Sequence, residues 1–222
     1  MRAGPALTFV SFVLFAAAAS VGTARSASAA EHVCDRAELA RLDRAVADNG
    51  AAMRRWYYGW SGAFLVAGLG QEAFAGYTHD AGLAIDSRVG AFMAGLGWAA
   101  TVALPPPTLF ATASDLDAIG PTQLQSACRS RAKLLASAAD DEAFGTGWLA
   151  HSAGWIANVA AGIWLWRRHD RLGAGILQTV EGLVVSELQI WTRPRSASAA
   201  MRTIVSPTLV PGGAALSVGF VF

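Results

Sequence analysis

Four long apolar segments, parted by short polar breaks, constrain this chain more than any motif it carries. They run from about Trp56 to Gly76, Arg88 to Leu104, Phe144 to Trp166 and Leu172 to Trp191. Each is long enough for a whole helix, and a bilayer-crossing helix needs about 20 mostly apolar residues. Apolar residues make up 54% of the chain and charged ones 15%, against about 25% charged in ordinary soluble domains. That shortfall favours a surface that faces lipid. The first segment opens with Trp56, Tyr57, Tyr58 and Trp60, and the third closes with Trp164, Trp166, Arg167 and Arg168, both suited to a membrane interface. The second stops at Pro105-Pro106-Pro107, which cannot continue a helix. The fourth carries Gln178, Glu181, Glu187 and Gln189, and a carboxylate at mid-bilayer costs roughly 2.5–3.5 kcal/mol. Segments two and three are therefore the best spans. A bundle lying at the membrane surface or in the periplasm is the alternative.

The flanking regions add a compartment. Arg2, the apolar run Leu7–Ala19 and the small residues Ser26–Ala30 have the order of a secretory signal cleaved near Ala29 or Ala30, with an uncleaved anchor as the alternative. Export to an oxidising compartment makes Cys34 and Cys128, the two cysteines of the chain, a candidate disulfide. It would close a loop of about 94 residues and contribute roughly 4 kcal/mol through chain entropy. With four spans and a periplasmic N-terminus, Arg167–Arg171 becomes a cytoplasmic turn, as the excess of basic residues in inner loops demands. Arg54-Arg55 then sits on the opposite side to that rule. The 17 basic and 16 acidic residues leave a net charge of +1, so no global field recruits nucleic acid.

Two amphipathic helices are expected outside the apolar segments, Asp35–Met53 and Thr122–Ala139. Ser196–Ala200 reads as a small, flexible linker. Beyond it Leu216, Val218, Phe220 and Phe222 alternate on one strand face, and Pro211-Gly212-Gly213 turns that strand back on Ile204–Val210. The predicted fold is mainly α: a membrane-embedded bundle of about six helices, four of them apolar, with a short C-terminal β-hairpin. Residues 1–30 form the signal, 31–195 the bundle, and 196–222 the linker and hairpin.

Chemistry is sparse. His151 and Asn158 lie among Gly147, Gly154 and Gly162 at helical spacing, and Gln178 and Glu181 lie beside Gly182 on the next segment. The intervening turn makes the two helices antiparallel. A His151–Glu181 pair oriented by Asn158 and Gln178 is therefore a candidate ligand or proton site, with polar contact between packed helices as its plainer reading. Asp140-Asp141-Glu142 reads as favourable charge at the N-terminus of the third apolar helix. No histidine spacing suits a metal, no catalytic constellation stands out, and no cofactor is expected.

The stretch Asp170–Arg195, ending Glu187-Leu188-Gln189-Ile190-Trp191-Thr192-Arg193-Pro194-Arg195, resembles the approach to the first motif of the PAP2 lipid-phosphatase family. The family's lysine falls at Ser186, and nothing after Pro194 is similar to its later motifs, so the resemblance implies no catalytic residue here. The whole plan also resembles uncharacterised exported bacterial membrane proteins, and the terminal Phe222 strand resembles the last strand of outer-membrane barrels. The leading functional expectation is a non-enzymatic structural or interaction component of the cell envelope. It would sit in the inner membrane, or in the outer membrane as the terminal strand suggests. Its partners would be membrane lipids and either another envelope protein or further copies of itself. A small-ligand or proton-handling membrane protein and a degenerate PAP2-like enzyme are the alternatives.

Overall fold

A computed structural model describes residues 34–203, together with the backbone of 208–210 and 213–215. The expected signal segment lies outside the described residues. Five long helices and one short one make up the described part: α1 Arg36–Tyr77, α2 Ala81–Ala103, α3 Leu124–Gly145, α4 Trp148–His169, α5 Leu172–Trp191 and α6 Ser196–Thr203.

The first departure from expectation is α1. The amphipathic stretch and the first apolar segment are one helix of 42 residues, because Arg54 and Arg55 favour helix as much as their neighbours do and no glycine–proline break separates the two parts. Asp35 caps it, accepting from the Glu38 N–H at 2.7 Å. Burial then divides it. Leu39, Leu42, Val46 and Met53 recur at three-, four- and seven-residue intervals and are buried, whereas beyond Met53 only Phe64 and Ala75 are. The buried N-terminal half packs with α3 and α6 around Leu39, Leu42, Val46, Leu135 and Ala197, with Cys34 and Cys128 at its edge. Those cysteines stand at disulfide distance, their Cα atoms 6.5 Å apart.

The remaining helices pair as hairpins, the C-terminal half of α1 with α2 and α4 with α5. Asp80 caps α2 through the Leu83 N–H at 2.9 Å, and the prolines after Leu104 end it. Asp170, in the left-handed conformation, turns α4 into α5. The α4–α5 crossing is closest where Gly162 meets Gly175, and a Cβ on either would strike the other's backbone carbonyl. Polar contacts tie the hairpins together. The Trp56 indole donates to the Gln189 carbonyl at 3.1 Å, Gln189 donates to Thr101 at 2.9 Å, and Arg171 grips Asp86 at 2.6 and 2.8 Å.

Three fold expectations are corrected. No described helix is long and apolar enough to cross a membrane, so the membrane-embedded bundle of four spans does not hold. Gln71 and Glu72 interrupt the first apolar segment, His151 and Asn158 the third, and Gln178, Glu181, Glu187 and Gln189 the fourth. Many intervening residues are alanine or glycine, which add little hydropathy. The C-terminal β-hairpin also fails as a structural element. What is described is a three-residue antiparallel pairing, Thr208–Val210 with Gly213–Ala215, too short to form a layer. The alternating residues Leu216 to Phe222 lie outside the described residues. The linker reading of Ser196–Ala200 is replaced by α6.

Candidate functional site

The candidate site grows from one end of the α4–α5 hairpin. Trp148, His151 and Trp155 follow one another at three and four residues along α4 and so share a face. Glu187 approaches from α5. His151 Nδ1 lies 2.8 and 2.9 Å from the two Glu187 oxygens, and the Trp155 indole N–H donates to Glu187 Oε1 at 2.8 Å. A carboxylate has no proton to give, so Nδ1 carries the proton and donates it. These bonds, the one from His151 foremost and that from Trp155 next, hold the Glu187 carboxyl below its ordinary range, against a smaller opposing effect of burial. An open hollow of about 500 Å³ beside the pair is lined by Trp148, His151, Ser152, Trp155 and Ile156.

No hydrogen bond or ion pair joins any two of the four expected residues, His151, Asn158, Gln178 and Glu181, among the described residues. His151 pairs with Glu187, and Glu181 is exposed on another face of α5. Asn158 is buried at the helix crossing, where its amide donates to the Gly154 carbonyl at 2.8 Å and its oxygen fills the space left by Gly182. Gln178 is half-buried further along α5. Asn158 is thus a packing residue, and it does not orient His151.

Glu187 was legible from register, and Trp155 from its place one turn after His151 on the same face of α4. Antiparallel helices pair residues equidistant from their turn. His151 and Glu187 each lie 18 positions from residue 169, whereas Glu181 lies only 12 away. Ser186, at the position of the PAP2 lysine, bonds its own helix at Leu183 and rests against Gly154. Arg193 of the Arg-Pro pair is held by Asp141 at 2.7 Å and stacks over Trp56. Among the described residues no three His, Cys, Asp or Glu side chains gather to hold a metal.

A pH dependence follows from the Glu187 shift. A folded-state carboxyl below its unfolded value, about 4.3 for glutamate, contributes stability that is present above that value. The contribution is lost as pH falls through the depressed folded value. His151→Gln removes the largest cause of the depression, so the variant should melt lower than wild type above about pH 4.3, with a shallower acid arm that converges on the wild-type curve as pH falls. Melting temperatures recorded from pH 3 to 7 test this, and superimposable acid arms in the two proteins would refute it.

Comparison of the chain with protein-family models, with curated proteins and with solved structures finds no match.

Proposed function

We propose that this protein is a non-enzymatic structural or interaction component of the bacterial cell envelope, and that membrane lipid is the partner of its apolar helices. The observation that carries the reading is the number of large apolar side chains left in the open. Leu65, Val66 and Leu69 on α1, Phe92 on α2, Ile156 and Ile163 on α4, and Ile176, Leu177 and Val180 on α5 are all exposed, Val66 to 72%. Soluble monomers rarely leave an apolar patch of that extent without a partner. Transferring four such side chains out of water contributes roughly 6 kcal/mol at about 1.5 kcal/mol each, enough for firm association.

Aromatic and basic residues border this surface. Tyr58, Trp148 and Trp191 are exposed toward one end of the paired helices, and Trp164, Trp166 and Tyr77 toward the other. The Arg167 guanidinium lies 4.6 Å over the Trp166 ring. Aromatic rings with arginine heads favour the lipid headgroup region. The test is flotation of purified protein with liposomes after detergent removal, repeated in high salt. The protein should rise with the vesicles, and Val66→Asp combined with Val180→Asp should leave most of it at the bottom. A wild-type protein that stays in the aqueous fraction as a defined oligomer would assign the apolar surface to a protein partner and overturn the reading.

A second reading, a ligand- or proton-handling role, draws on the His151–Glu187 pair beside its hollow. It requires His151→Gln to reproduce the phenotype of a deletion strain while protein abundance stays normal.

A further inference from the structure

A second hollow, of about 480 Å³, lies between α1 and the chain leaving α5. Its floor is built from small residues of α1, Ala52, Gly59 and Ala63, with Trp56 and Trp60 as walls and Thr192 and Pro194 opposite. From Ala52 to Ala63 the groove follows about 16 Å of helix. The two indoles are fixed, since Trp56 donates to the Gln189 carbonyl at 3.1 Å and Trp60 to the Thr192 hydroxyl at 2.9 Å. The groove is thus mostly apolar, open and extended along the helix.

Its one charged lining residue is Arg55. The neighbouring arginines are already engaged. Arg54 donates to the carbonyls of Leu109 and Ala111 at 3.1 and 3.0 Å, and Arg193 pairs with Asp141 and stacks over Trp56. Arg55 is exposed and makes no ion pair among the described residues. A cation with unspent donors at the mouth of an apolar groove complements an amphiphile with an anionic head.

We propose that this groove binds one anionic phospholipid. Its phosphate lies on Arg55, and one acyl chain lies along Ala52, Gly59 and Ala63 between the two tryptophans. The proposal rests on the lipid-contact reading and sharpens it, since the exposed helix faces are unselective and this groove is not. A guanidinium–phosphate contact is charge-assisted and about twice as strong as a neutral hydrogen bond, so its loss should weaken binding about tenfold.

The test is to titrate the full chain in detergent micelles with phosphatidylglycerol or phosphatidylcholine and to count retained lipids by native mass spectrometry. Wild type should keep one phosphatidylglycerol in preference to phosphatidylcholine, and Arg55→Gln should weaken that retention about tenfold. Gly59→Leu provides a second route. A Cβ at residue 59 meets nothing within 4 Å, so a leucine there has open space to grow into the groove and should also expel the lipid. Equal retention of the two lipids, or unchanged retention in both variants, would overturn the proposal. Displacement of the lipid by millimolar inorganic phosphate would overturn it too, by making the site one for free phosphate. Failure of flotation removes the lipid-contact reading and this groove with it. Flotation without a phosphatidylglycerol preference removes the groove alone.

Discussion

Replacing Glu142 with alanine is expected to cost about 3 kcal/mol of stability, more than any change on the exposed helix faces. Its side chain is 1% exposed and accepts three hydrogen bonds: from Asn49 Nδ2 at 2.7 Å, from the Ala197 N–H at 2.9 Å and from the Ser198 N–H at 2.8 Å. Alanine leaves those donors facing a void, and each unsatisfied buried donor costs about 1–3 kcal/mol. Removing a buried carboxylate relieves its desolvation, which offsets part of that sum. Asn49 loses least, because it also donates to the Ser196 hydroxyl at 2.9 Å and accepts from Thr108. The two backbone donors belong to the first turn of α6, so the same change should loosen α6 from the core. Glu142→Gln keeps an acceptor and should cost about half as much. Thermal melts of the three proteins, with proteolysis at the α6 segment as a second readout, decide the matter. A loss below about 0.5 kcal/mol for Glu142→Ala would show that the network is dispensable.

Glu142 also shows how far the sequence reaches. Acidic residues at 140–142 suggest charge at a helix N-terminus, and that physics is correct for the wrong helix. In sequence they precede α4, whereas α3 runs on to Gly145 and carries Glu142 to the N-terminus of α6, which lies 55 residues away in the chain. The existence of α6 depends on that tertiary contact, since a helix of 8 residues is too short to hold in isolation even with its alanines. Local patterns were more reliable where one helix face meets one core. Leu39, Leu42, Val46 and Met53 were legible from spacing alone and are all buried.

The apolar segments were legible as helices and misjudged as spans. Hydropathy at residue level rose and fell within each segment, and Gln71, Asn158 and Glu187 break the runs that crossing would need. The site was misjudged differently. His151 was identifiable as a polar residue on a small-residue face, but its partner depends on hairpin register, which is set by the Asp170 turn and by the Gly162–Gly175 contact. Counting outward from residue 169, just before the Asp170 turn, gives Glu187, whereas counting from Asp170 itself gives Gln189. The groove at Arg55 had no sequence signal, because its walls come from residues about 130 positions apart, Trp56 and Trp60 on one side and Thr192 and Pro194 on the other.

Breaking the Cys34–Cys128 link is expected to have the largest single effect on stability, about 4 kcal/mol. The cross-link spans 94 residues and joins the start of α1 to α3, so the unfolded chain without it gains the freedom of a very long loop. Cys128→Ser should therefore lower the melting temperature, and reduction of the wild-type protein should lower it by nearly the same amount. Both cysteines border the cluster of Leu39, Leu42 and Leu135, so serine adds a small polar penalty that reduction does not. Cys34→Ser distinguishes the cross-link from two separate thiol contacts. If the residues act as one bond, either single variant costs as much as the double, and the second replacement is nearly free. Costs that add across the two singles would show independent thiols. On non-reducing gels the exported wild type should migrate as a compact species absent from either variant. Quantitative alkylation of both thiols in unreduced exported protein would eliminate the bond and the stability assigned to it.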